Sequence, residues 1–390
     1  MWADAPRIGV RCRSHLERET CDVAVVGAGI SGALIALKLA EQGYDVVVVD
    51  RRLPCHGSTL ASTAMVQFEL DTTLTDLAEK IGAAKAERAY ARSLRSVREL
   101  GELVARLGVG CGWKTRDALY LAGNEKGSRA LAAEAQYRAK VGLPSSYLDG
   151  RLLVSHFGID RTGAILSEGA SAEVNPVQLA TACLREAQRL GARIYAPEDV
   201  KRAHPHANGV DLETSGAATI SARRAVFATG YEVVFGVPRD AFELISTWAI
   251  ATRPLAAKVL WPTRCLIWEA SDPYLYLRTT YDNRILAGGE DSGLNDDERR
   301  DAAIPNKAAR LLAKLETLLP GRKLEIDYAW AGAFADSPTG LPHLSPLSEL
   351  PNCFAVLGCG GNGMTFSVIA ADVVAAWVAG KKDPDAELFR

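Results

Sequence analysis

The stretch Asp22-Val23-Ala24-Val25-Val26-Gly27-Ala28-Gly29-Ile30-Ser31-Gly32 decides the fold. Val23 to Val26 is an unbroken apolar run that reads as a fully buried strand, and three glycines at G-x-G-x-x-G spacing follow at once. Ala33 to Gln42 then carries helix formers, with Gly43 as the stop, and a second apolar strand, Val46 to Val49, ends at Asp50, 18 residues after Gly32. The unit is strand, helix, strand with its glycines in the first turn. Gly27 allows the tight turn, Gly29 lets the backbone approach a diphosphate, and Gly32 lets helix and strand pack closely. Ile30 and Ser31 open the helix whose positive end accepts the diphosphate. Asp50, with Arg51 beside it, stands where an adenosine ribose is read. A bare glycine pattern is weak evidence, but the flanking strand and helix and the acid at its offset make this a dinucleotide-binding unit.

Working outward, 390 residues exceed what one core fills, so two or three domains are expected. Lys plus Arg at 45 against Asp plus Glu at 47 leaves a net charge of −2, which gives no global attraction for nucleic acid or an anionic membrane. The eight cysteines show no C-x-x-C pair and no zinc spacing, and they read as reduced thiols of a cytoplasmic protein without a metal site. The first twenty residues lack the apolar run of a signal peptide, and no segment has the length of a membrane span.

Further along, Leu74 to Leu107 has helical periodicity, Asn175 opens a helix that stops at Gly191, and Trp248 to Gly289 is strand-rich around a polar turn at Tyr281 to Arg284. Three other stretches suit a bound cofactor. Gly57 to Ala64 is rich in hydroxyls, with Ser58, Thr59, Ser62, Thr63 and Ala64 placed to meet phosphate oxygens or a polar ring edge. Ala228-Thr229-Gly230 ends a buried strand and permits a second close approach. Gly358-Cys359-Gly360-Gly361-Asn362-Gly363 lies between the strand Phe354 to Leu357 and an apolar helix that runs to Val378, and so forms another helix start able to accept an anion.

With those segments in that order, the chain resembles the FAD-dependent D-amino-acid oxidase superfamily, which includes glycine, sarcosine and γ-glutamylputrescine oxidases. The resemblance covers nearly the whole chain and rests above all on Gly358 to Ser367. It implies an α/β fold: a Rossmann-type FAD-binding domain from residues 1–80, 165–235 and 326–390, and a substrate domain with a mixed or antiparallel sheet from 81–164 and 236–325. It also implies that Gly360, Gly361, Asn362, Gly363, Met364 and Thr365 hold the pyrimidine side of the flavin, and that a residue near Val200 meets adenine through its backbone. Amides and a helix dipole at that edge stabilise the charge on reduced flavin.

The activity implied is oxidation of the C–N bond of an amine or amino acid. A hydride passes to flavin N5, the imine hydrolyses, and oxygen or another acceptor takes the electrons. Two alternatives stand beside it, a 2-hydroxy-acid oxidase or dehydrogenase and a non-catalytic flavoprotein subunit that needs a partner. Tyr274, Tyr276 and Arg278 alternate along one strand face, so Arg278 either holds a substrate carboxylate beside the tyrosines or snorkels from a solvated face. Gln67 and Glu69 follow the hydroxyl loop toward the ring, where Glu69 either attracts an ammonium or pairs with a basic residue. D-amino-acid and glycine oxidases carry a carboxylate-binding arginine in a glycine-x-arginine-proline run, whereas this chain has Gly332-Ala333-Phe334-Ala335, which disfavours a simple α-amino acid. Cys359 stands where relatives have an aromatic residue and reads as a small packed group or as a thioether to the flavin. His56 and His343 read as ordinary loop and turn residues.

Overall fold

The computed structural model describes residues 1–4, 9–14, 16–232, 242–294 and 296–390. Two sheets organise them. The first runs in the order His343–Pro346, Cys353–Leu357, Thr219–Gly230, Arg18–Val26, Val46–Val49 and Arg193–Tyr195, with Val200–His206 and Gly209–Thr214 attached to Thr219–Gly230. Its centre is parallel and buried on both faces, as the valine runs require: Val23 pairs with Val46 on one side and with Arg224 on the other. The helices Ile30–Glu41, Pro176–Arg189 and Gly363–Val378 pack together on one face. Asn175 caps the second of these, its side chain accepting from the amides of Val177 and Gln178.

The second sheet is mostly antiparallel: Ile326–Asp336, Glu243–Thr252, Ile285–Ser292, Leu275–Thr279, Leu266–Glu269, Lys114–Leu121, Gly163–Glu173 and Met65–Val66, with Ser146–Asp149 beside Gly163–Glu173. Gly163–Glu173 and Ile326–Asp336, which lie at the start of the second and third expected pieces of the cofactor domain, are strands of this sheet. The expected boundary at 235/236 lies outside the described residues. One face packs on the helix Ile304–Leu318 around Trp248, Trp261, Leu277 and Leu315. The predicted α/β fold, with a parallel-centred Rossmann-type sheet and a second, mostly antiparallel sheet, is what the structure shows. Among the described residues no helix is long and apolar enough to cross a membrane, and no group of His, Cys, Asp and Glu is placed to hold a metal. All eight cysteines are free.

Candidate active site

The glycine turn is tight enough to make its residue types obligatory. Gly27 has φ +108°, and a Cβ there would meet the Ala228 carbonyl oxygen at 2.3 Å; a Cβ on Gly32 would lie 1.8 Å from the Gly27 carbonyl oxygen. The strand ending in Ala228-Thr229-Gly230 therefore passes directly against the turn. Gly29 begins the helix Ile30–Glu41 with no side-chain cap, which leaves its first turn to a ligand. The Thr59 hydroxyl accepts the Ile30 amide at 3.0 Å, so the hydroxyl loop is fastened to the helix start. Asp50 is held by two amides, Ala28 at 2.7 Å and Arg52 at 2.8 Å, and a carboxylate retains further lone pairs for ribose hydroxyls. The Glu198 amide donates to the Asp50 carbonyl, which brings the segment leading into Val200 beside the same corner. Arg51 and Arg52 both pair with Glu232, and the Thr229 hydroxyl donates to the Glu232 carbonyl.

A second uncapped helix start lies opposite. Asn362 precedes Gly363–Val378 without capping it, and its amide instead donates to the Glu69 carbonyl at 2.7 Å. The Thr365 hydroxyl donates to the Gln67 carbonyl at 2.7 Å, and Ser31 joins Ser367 at 2.7 Å between the two helices. The cradle thus has two helix N-termini whose N-cap residues give no side-chain cap, a carboxylate fixed by amides, and glycines where a Cβ would clash. These features fit FAD.

Between the sheets lies a cavity of about 940 Å³, its open mouth included. One wall is Ser58 and Ala61 to Met65; another is Gly360 to Met364; the far side is Thr247, Trp268, Tyr274, Tyr276 and Gly332 to Phe334, with Gln67, Glu69 and Asp71 along the floor. Tyr276 and Gln67 from the expected catalytic set line it. Tyr276 lies across Gly288 and beside Tyr274, ring centroids 5.7 Å apart, and burial pushes its phenol up to about 12, so it stays a hydrogen-bond donor.

Arg278 does not line this cavity. It is 2% exposed, and each guanidinium nitrogen donates to a main-chain carbonyl: Nε to Thr63 at 2.6 Å, Nη2 to Val174 and Nη1 to Thr279, both at 3.0 Å. Strand alternation put it on the tyrosine face correctly; the chain of the hydroxyl loop crosses in front of it. Burial lowers its pKa to about 10. Cys359 is buried with its thiol pushed up to about 12, His56 is exposed, and His343 pairs with Ser345.

Asp71, Thr247, Trp268 and Phe334 are pocket residues that no motif announced. Asp71 faces the cavity and accepts the Gly361 amide at 3.1 Å; the surrounding protein, with Asp336 and Asp291, pushes its carboxyl up to about 6 against the pull of that amide. Among the described residues lining the cavity the charged groups are Glu69 and Asp71, with no Lys, Arg or His.

The sequence profile of FAD-dependent oxidoreductases matches residues 22–377. The chain belongs to that family, known as DAO. This family member is 24% identical over 383 residues to γ-glutamylputrescine oxidoreductase of Escherichia coli, covering 96% of this chain and 86% of the other. It is 23% identical over 384 residues to glycine oxidase of Geobacillus kaustophilus, covering 93% of each. The crystal structure of the Geobacillus glycine oxidase superposes with a TM-score of 0.80 at 21% identity, over 94% of this chain and 96% of that one. L-proline dehydrogenase from P. horikoshii follows at 0.78 and 19%, over 95% and 96%. The shared fold and the family make this chain an FAD-dependent oxidoreductase.

Proposed function

We propose that the chain oxidises the C–N bond of an amine or amino acid inside the 940 Å³ cavity. The observation that carries the reading is the meeting, in one cavity, of both flavin-facing segments with an aromatic wall and two carboxylates. Bound FAD supplies the two-electron acceptor. The substrate gives up a hydride from carbon and a proton from nitrogen as its lone pair closes the C=N bond; water then adds to the imine and releases a carbonyl compound and the amine fragment. Efficient transfer needs the reacting carbon within roughly 3 to 3.5 Å of its acceptor, which is a task of positioning. Tyr274 and Tyr276 form the wall that confines the substrate, and the Tyr276 hydroxyl donates a hydrogen bond. The clamp of Asn362 and Thr365 on the 67–69 backbone keeps floor and helix start in register.

A 2-hydroxy acid would bring a carboxylate with no ammonium beside it into a cavity whose described lining offers two carboxylates and no cation, whereas the ammonium of an amine or amino acid has those carboxylates as partners. Anaerobic mixing of the yellow holoenzyme with amines, amino acids and 2-hydroxy acids tests the choice. Bleaching of the flavin by amines or amino acids is expected; bleaching by hydroxy acids alone overturns the reading, and so does a purified protein that binds no FAD.

A further inference from the structure

Glu69 lines the cavity at 2% exposure, and its Oε2 has no hydrogen-bond partner. The cation nearest in effect is Arg138, fully buried, which already bonds Glu134 at 2.6 Å; burial holds the Glu69 carboxyl above its ordinary range against the pull of Arg138 and Ser167, so an incoming cation is what would keep it ionised. Asp71 faces the same space on the other side of the floor. Asp291 stands behind Tyr274, its Oδ1 also without a partner. An unsatisfied buried acceptor is costly and persists where a ligand completes it.

The walls match that charge. The Tyr274 and Tyr276 rings lie at an interplanar angle of 33°, and Trp268, stacked on Tyr120 at 3.8 Å, lines the cavity with them. Aromatic faces beside carboxylates attract ammonium groups and give nothing to an anion. The stretch Gly332-Ala333-Phe334, where the resemblance led one to look for a guanidinium, lines the cavity with a phenyl ring instead.

We propose that this cavity takes an amine bearing a second positive charge and no carboxylate on the reacting carbon, a diamine or polyamine, with the distal ammonium seated between Glu69, Asp71 and the Tyr274 and Trp268 rings. The proposal rests on the amine-oxidising reading above. An α-amino acid is excluded by the same charge, since its carboxylate meets no counter-ion in the described lining.

The test compares four probes with the FAD-loaded holoenzyme in the absence of oxygen: 1,4-diaminobutane, spermidine, butylamine and N-methylglycine. The two polycations are expected to bleach the flavin with half-saturation at least about tenfold below that of butylamine, the effect of about 1.4 kcal/mol for a partly desolvated ion pair. Asp71→Asn is expected to collapse that preference about tenfold through half-saturation rather than limiting rate. Phe334→Arg, which adds the missing cation, is expected to raise the response to N-methylglycine. Glu69→Gln is expected to weaken the preference in the same way; if it does not fold, Asp71→Asn and Phe334→Arg, both at cavity-lining positions, still decide. N-methylglycine outperforming all three of the other amines in the unaltered protein overturns the dication while leaving C–N oxidation standing. Equal response to diaminobutane and butylamine, unchanged by Asp71→Asn, overturns it as well. Silence toward all four probes in a holoenzyme that another amine or amino acid bleaches overturns the dication and leaves C–N oxidation standing.

Discussion

Three consecutive carbonyls, Ala61, Ser62 and Thr63, are each held by a donor from a distant part of the chain: Trp330 Nε1 at 2.8 Å, Trp2 Nε1 at 2.7 Å and Arg278 Nε at 2.6 Å. The loop can therefore present its hydroxyl side to the cofactor without drifting, and Ala64 is held at φ +52° just beyond the third anchor. Arg278 is the strongest of the three because its charge-assisted bonds fan out to three carbonyls while its guanidinium lies over the Trp2 ring at 5.5 Å. It is a positioning residue. Arg278→Ala strands those carbonyls in a buried setting and is expected to cost about 3 to 5 kcal/mol of stability, with weaker FAD retention. Denaturant titration of the apoprotein beside flavin release on dilution measures both. A variant of normal stability and FAD affinity that has lost only substrate affinity would move Arg278 back to the substrate.

At the scale of elements, the two helix starts proposed to meet the cofactor are tied to each other by Ser31 and Ser367, and the second is tied to the backbone from Gln67 to Glu69. Asn362 and Thr365 each give one side-chain bond to that backbone, in places where neither is replaced by water without loss. The double variant Asn362→Ala, Thr365→Val is expected to weaken FAD binding roughly ten- to thirtyfold, at about 1 kcal/mol per bond. Secondary structure by circular dichroism should stay unchanged, since the helix Gly363–Val378 is buried along its apolar length. Unaltered FAD affinity would show that the clamp is dispensable. The first of these helix starts was legible in the sequence because its signals are local: Val23 to Asp50 contains strand, turn, helix and acid within one continuous stretch. The last glycine run was legible for the same reason. The existence of the second sheet was expected but its pairings were not legible, because they join distant chain, as where Leu266 lies parallel to Ala118 and Met65 pairs with Glu173. Arg278 shows the boundary within one strand: period two gives its face, but nothing local reveals that the hydroxyl loop crosses that face. Asp71 and Trp268 become pocket residues only once both sheets are in place.

In the whole molecule, the two sheets close on a cavity whose charge differs from that of the chain. The chain as a whole is nearly balanced at a net charge of −2, yet the described cavity lining carries carboxylates alone. Asp71 reports on this directly. Asp71 is exposed at the cavity; desolvation by its neighbours and the charges of Asp336 and Asp291 favour its protonated form, the Gly361 amide favours the ionised one, and the balance sits at about 6. Above that pH Asp71 is ionised and attracts an ammonium; below it the attraction is lost. A bound cation favours the ionised form in turn, so binding lowers the Asp71 pKa and drives its proton off. The reacting amine titrates too, but the ratio of half-saturation constants, Asp71→Asn over the unaltered protein, cancels that contribution. The ratio for 1,4-diaminobutane is expected to hold a plateau of about ten at pH 7 to 8 and to fall toward one as pH drops below about 6. Anaerobic flavin-reduction titrations across that range measure it. Calorimetry at pH 6 in two buffers of different ionisation heat should show more proton release from the unaltered protein than from the variant. A ratio that stays near one at every pH would mean that the Asp71 charge never reaches the substrate, and that the carboxylate serves only to hold the Gly361 amide.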